Sequence, residues 1–381
     1  MKFGYFDTRV DPGGKRSYDQ LIDDLREEVV LSEQAGYDAA WIGEHHMGPE
    51  GMDQLPNPIL MCADLASRTN HIRLGQAANL LPYWHPIRLA EDIAMLDQMT
   101  KGRIDVAIGR GVRSREGSVF HAKSDPANAD ASLELFEETL DILIKSWTNE
   151  FFCHEGNNYT FPANNIRWNH PISPADPRWS NGDLITKLKM IPKPYQKPHP
   201  PMWQVTDSDR SITFAAQRGL KVINWQPTLA LLKQKYQLYA SVRPQTEGRT
   251  FAIGEDMALM RNTYVAPTME EARRDAEAGV LMTFRWTQAR RPLKNFMDPG
   301  EEIQPGMELD WDLLFNRNLL VGSPEYVSEK IHEMREQIGL QYLMTYTAMP
   351  YIPHHKVMRS IDLFATKVMP NFKDTIYQSK S

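Results

Sequence analysis

A histidine pair closes the run Trp41-Ile42-Gly43-Glu44-His45-His46. Imidazole gains or loses a proton near neutrality, donates to anions and binds metals, so His45 and His46 are candidates for acid–base work. The plain alternative is two histidines in a surface loop. A second constellation is Ile108-Gly109-Arg110-Gly111, where flanking glycines let an anion approach the backbone and the guanidinium forks onto it. Its alternative is an arginine paired with a carboxylate for structure. The third is Val205-Thr206-Asp207-Ser208-Asp209-Arg210-Ser211. Asp207-Ser208-Asp209 after an apolar run is a strong helix N-cap, and free amides at a helix start bind phosphate. Simple capping by Ser208 and Ser211 is the competing reading. A metal site is not expected: there is no H-E-x-x-H, and the two cysteines, Cys62 and Cys153, stand in unrelated contexts.

These residues sit at the ends of strand-like runs. Short β-rich stretches are predicted at Lys2 to Asp7, Asp38 to Gly43, Ile72 to Ala78, Ile104 to Gly109, Met202 to Val205, Lys221 to Trp225, Met257 to Val265 and Leu340 to Thr347. Helical patterns alternate with them: Ser17 to Ala35, Pro86 to Thr100, Leu133 to Trp147, Arg210 to Arg218, Leu229 to Ala240, Met269 to Leu281 and Pro324 to Ile338. In the first of these Leu21, Leu25, Val29 and Ser32 recur at helical spacing, with Gly36 as the stop. Near-continuous apolar strands alternating with helices indicate a parallel sheet covered by helices. Eight repeats favour an α/β fold of the (β/α)8 TIM-barrel type. An open doubly wound sheet is the runner-up, but no G-x-G-x-x-G follows the first strand.

Two stretches break the rhythm. Residues 151–201 carry nine prolines and cannot form a core helix or central strand, so they read as an excursion after repeat four. Residues 284–314, after repeat seven, have no clean period and read as a candidate lid at the barrel's carboxyl face, mobile over about 285–307 until ligands bind. No domain boundary is predicted; residues 1–381 read as one barrel domain. The formal charge of −6 argues against a nucleic-acid partner. No apolar run reaches the roughly 20 residues of a membrane span, and no signal peptide is seen, so a cytoplasmic protein is expected.

The order of motifs carries a resemblance that covers nearly the whole chain. Glu44-His45-His46 is followed by Leu81-Pro82-Tyr83-Trp84-His85-Pro86-Ile87-Arg88-Leu89-Ala90-Glu91-Asp92, then Leu96-Asp97-Gln98-Met99-Thr100-Lys101-Gly102-Arg103, then Arg110-Gly111. Asp207-Ser208-Asp209-Arg210-Ser211 comes next, and Gly322-Ser323-Pro324-Glu325 opens the last repeat. In this order and spacing they resemble the bacterial-luciferase-like flavin monooxygenases.

The resemblance implies a (β/α)8 barrel that uses reduced FMN supplied by a separate flavin reductase, or alternatively a reduced deazaflavin. It implies a monooxygenase that uses O2, through a C4a-peroxyflavin, to oxygenate a small organic substrate, with a homodimer as the expected assembly. His45 matches the catalytic histidine and His46 its neighbour. Arg110, Ser208 and Ser211 match groups that hold the flavin phosphate, and Asp207 occupies an acidic position at the flavin site. Ala77 and Ala78 match a dipeptide beneath the flavin that is joined by a non-proline cis bond. The family's second phosphate arginine falls here on Leu133, with Lys123 as the nearest cationic substitute. Two other functions stay open: a deazaflavin-dependent dehydrogenase or reductase, and a flavin-binding barrel without turnover.

Overall fold

The computed structural model describes residues 1–289 and 292–373. Eight parallel strands make up the barrel: β1 (Lys2–Asp7), β2 (Ala39–Ile42), β3 (Arg73–Leu80), β4 (Ile104–Gly109), β5 (Met202–Val205), β6 (Lys221–Asn224), β7 (Met257–Val265) and β8 (Tyr342–Tyr346). They hydrogen-bond in chain order, and β8 pairs back onto β1. The fold is therefore a closed (β/α)8 barrel, and all eight strands lie where the sequence placed them. One strand was not foreseen. Leu319–Gly322 pairs with the carboxyl half of β7, from Asn262↔Leu319 to Val265↔Gly322, while β8 takes Leu259 to Asn262. Asn262 pairs with both strands, so they flank opposite edges of β7: four-residue β6 covers only Met257 to Leu259, and the added strand covers the rest of that edge, which would otherwise lie open.

By compactness the described residues divide into 1–78 with those from 202 to 373, and 79–201. In the first unit, Trp41 on β2 and Trp203 on β5 have ring centroids 5.7 Å apart. Those strands are not neighbours in the sheet, so the two indoles meet through the barrel lumen. Trp41 Nε1 also donates to Tyr342 OH at 2.7 Å. Gly75 is required beside this indole, because a Cβ there would lie 2.1 Å from Trp41 Cε3.

The opposite face of β1 carries charge. Arg9 binds both Asp7 and Glu28, all three being at most 2% exposed. Tyr5 OH donates to Glu28 Oε2 at 2.6 Å, and His354 Nδ1 lies 2.9 Å from Glu28 Oε1. Burial opposes ionisation of Glu28, but Arg9, His354 and Tyr5 outweigh it and hold its carboxyl below the ordinary value. Its bond to Glu28, with those to Glu27 and the charge of Asp24, pushes His354 up to about 9. A histidine raised in the folded state stabilises fully below its unfolded value of about 6.5 and loses that contribution as pH rises through about 9. His354→Ala is thus expected to flatten the fall in stability between those limits, as read from urea midpoints across the range. An unchanged slope would show that another group governs it.

The second unit holds β4, the helices Pro86–Thr100 and Ala129–Thr148, and the proline-rich excursion. Pro86 opens its helix at the first turn, and Lys101 and Gly102 end it in left-handed conformations. The helix predicted from Leu133 starts at Ala129, because its first turn is too polar to show an apolar stripe. The excursion forms two small hairpins, His154–Glu155 with Thr160–Phe161 and Ser180–Asn181 with Leu184–Ile185. It is moored by two acids, half-buried Glu138 and buried Asp97. Glu138 accepts from Tyr159 N at 2.9 Å and lies 2.9 Å from His154 Nε2, while Asp97 accepts from Gln196 N at 2.8 Å.

The stretch read as a lid is better anchored than its sequence suggested. Helix Met269–Gln288 runs past the predicted Leu281, and its buried stripe Ala276, Val280, Phe284 continues into it. Fully buried Phe296 then packs edge-on against Phe284 at 5.8 Å. Arg290 and Arg291 lie outside the described residues. Among the described residues no helix is long and apolar enough to cross a membrane.

Candidate active site

In a barrel of parallel strands the residues that follow each strand share the carboxyl face, where chemistry is done. After β2 the chain passes through Gly43, whose lack of a side chain matters: a Cβ there would lie 2.5 Å from Thr8 Cγ2 and 3.6 Å from Ala77 O. The ends of β1, β2 and β3 are thereby drawn together. His45 follows, half-buried, with its backbone N–H on Leu55 O at 2.9 Å. His46 Nε2 lies 3.0 Å from Oε1 of Glu44, a carboxylate only 2% exposed. This couple orients the loop that carries His45. Glu44 was overlooked because the motif was read for its histidines. On β3 the Ala77–Ala78 peptide is cis.

After β5 the helix Asp209–Gln217 begins with Ser208 as N-cap, its Oγ accepting from Ser211 N at 3.3 Å. Asp207, just ahead of that helix start, accepts at Oδ1 from Trp225 N at 3.0 Å, at the end of β6. The acidic Asp209 in the first turn is paired with Lys235 Nζ at 2.8 Å. The capped helix start, with its two serine hydroxyls, has the donor chemistry that a phosphate needs.

Arg110 belongs to the second unit, at the end of β4. Its Nη1 donates to Ser132 Oγ at 2.9 Å and to Ala129 O at 3.0 Å, so the first turn of helix Ala129–Thr148 holds the guanidinium. Ser132 carried no signal in the sequence, since nothing local links it to a residue 22 positions earlier. Lys123 instead reaches Glu134 at 3.7 Å. Glu134 is two residues beyond Ser132, about 200° around the helix, so Lys123 and Arg110 are tied to different faces of it. Among the described residues no group of three or more His, Cys, Asp or Glu side chains could hold a metal ion.

The sequence profile of the luciferase-like monooxygenases matches residues 1–342. The chain belongs to that family. Within it, the chain is 30% identical over 275 residues to the oxygenase component of the flavin-dependent trigonelline monooxygenase of Acinetobacter baylyi, covering 72% of this chain and 67% of that protein. The oxygenating constituent of 3,6-diketocamphane monooxygenase of Pseudomonas putida, solved in complex with FMN, superposes with a TM-score of 0.78. It is 25% identical, covering 97% of this chain and 98% of that one. An F420-dependent secondary alcohol dehydrogenase shares the fold at a TM-score of 0.69 and 16% identity, covering 98% and 99%. This luciferase-like chain is thus a member of a flavin monooxygenase family, an oxidoreductase family by its chemistry.

Proposed function

We propose that this luciferase-like chain is the oxygenase component of a two-component flavin monooxygenase, using reduced FMN from a separate reductase and O2 to oxygenate a small organic substrate. The observation that carries the reading is the meeting of β1, β2 and β3 around Gly43, which brings the His45 loop beside the cis Ala77–Ala78 peptide. Reduced FMN, when bound, supplies the two electrons that activate O2, one oxygen atom going to the substrate and the other to water. Ser208, Ser211 and Arg110 would hold the phosphate, Ala77 and Ala78 would support the ring, and Asp207 would brace the ends of β5 and β6. His45 would hold or deliver one proton at the reacting edge, and His46 with Glu44 would fix the loop.

FMN is favoured over a deazaflavin because the relative solved with FMN shares 25% of its sequence with this chain, whereas the F420-dependent one shares 16%. Oxygen uptake with photoreduced FMN across a panel of small ketones, aldehydes and aromatics tests the reading. Substrate-stimulated uptake supports it; hydride exchange with a reduced deazaflavin and none with FMN would overturn it.

Arg110→Ala is expected to weaken reduced-FMN binding roughly 10–100-fold, as loss of a charge-assisted hydrogen bond does, while product per bound flavin is largely kept. Anaerobic titration followed by a single turnover separates the two quantities. Unchanged affinity would remove Arg110 from the phosphate grip.

A further inference from the structure

Among the described residues, Asn262 at the carboxyl end of the barrel carries a hydrogen-bond donor without a partner. Strand register places Gly75, Trp41, Phe6, Tyr346 and Asn262 in one layer, on β3, β2, β1, β8 and β7. Residues opposite one another in a sheet point to the same face, and Trp41 reaches Trp203 only through the lumen. The Asn262 carboxamide therefore faces inward. The side chain is 1% exposed. Trp225 Nε1, just past β6, donates to its Oδ1 at 3.3 Å. An indole N–H can only donate, so this bond fixes the amide with oxygen toward Trp225 and nitrogen turned away. Asn262 Nδ2 is buried and has no hydrogen-bond partner among the described residues.

A buried amide N–H left unpaired is costly, and an acceptor from outside the chain would satisfy it. The surroundings define that acceptor. Phe6 meets Tyr346 edge-on, with centroids 5.5 Å apart and planes at 89°, so the layer offers aromatic walls. None of its four side chains carries a formal charge, Gly75 having none. A carboxylate would lose its hydration here without a counter-charge, whereas a neutral carbonyl needs only one good donor.

We propose that Asn262 is a substrate-recognition residue whose Nδ2 donates to the carbonyl oxygen of a neutral, largely apolar ketone or aldehyde lying among Phe6, Tyr346 and Trp225. The assignment rests on the monooxygenase reading above and names its substrate class.

The test uses two probes of one shape, cyclohexanone and methylenecyclohexane, bound to the full chain with and without reduced FMN under anaerobic conditions. Wild type should bind the ketone roughly 3–10-fold more tightly than the alkene, the worth of one neutral hydrogen bond. The infrared carbonyl band of bound cyclohexanone should shift to lower frequency. Asn262→Leu should abolish both the preference and the shift while leaving the alkene's affinity unchanged. Asn262→Met, which is unbranched and also cannot donate, should do the same and guards against a packing fault in the leucine variant. Equal affinities in wild type, or a preference and shift that survive both substitutions, overturn the proposal. Loss of reduced-FMN binding in Asn262→Leu also overturns it, by assigning the donor to the flavin. Failure of wild type to bind FMN sinks the monooxygenase reading alone, because the ketone preference is also measured without flavin.

Discussion

Replacing His45 by alanine is expected to lower oxygenated product by about 10²–10⁴-fold while reduced-FMN affinity changes little. That loss corresponds to about 3–5 kcal/mol of barrier, the usual worth of one positioned acid–base group. The position is set by backbone rather than by the imidazole. His45 N is held on Leu55 O at 2.9 Å, and Gly43 lets the preceding turn lie against Thr8 and Ala77. The alanine variant should therefore keep the loop and lose only the proton-handling group. The proposed phosphate grip lies elsewhere, at Arg110 and at the Ser208-capped helix start. Oxygen consumption should persist and appear as hydrogen peroxide instead of product. Parallel yields of peroxide and product, with an anaerobic flavin titration, decide the matter. Normal turnover in His45→Ala would remove the histidine from the reaction, and loss of flavin binding would make its role structural.

The second large effect is on stability. Arg9→Met should destabilise the fold by about 3–5 kcal/mol, the cost of stranding buried charges when one partner is removed. Arg9 serves two carboxylates at once: its Nε is 2.7 Å from Asp7 Oδ1, and its Nη2 binds both Asp7 and Glu28. Asp7 is fully buried and Glu28 is 1% exposed, so neither can recover its hydration. Methionine fills much of the arginine's volume, which confines the loss to charge. Glu28→Gln in the same background should relieve part of the damage, since one stranded carboxylate then disappears. Urea denaturation of the single and double variants measures both effects. Equal stability of Arg9→Met and wild type would mean that solvent reaches this network.

The barrel was legible because its signals are local. Eight apolar runs alternating with seven helical stretches show a periodicity that needs no knowledge of distant residues, and the strand ends agree with the structure to within about two residues. The functional stations were legible for the same reason: His45 follows one strand, Arg110 another and Ser208 a third. Where local pattern failed, the cause was also local. The polar first turn Ala129–Ser132 hid a helix start, and the irregular stretch after Leu281 concealed two further turns of helix and a buried Phe296.

Other features exist only by virtue of pairing across the chain. The strand Leu319–Gly322 follows from β7 outrunning β6, a length mismatch visible only once those strands lie side by side. The buried group around Arg9 joins β1 to Glu28 and to His354, which lies 326 residues further on. The inward amide of Asn262 depends on its register with Tyr346 and on the Trp225 indole that orients it. Periodicity within one segment sets whether it forms a strand or a helix, and so this chain's fold could be read from its sequence. Which side chains face one lumen, and which donor there lacks an acceptor, is set by register between strands, and register is a property of the closed barrel.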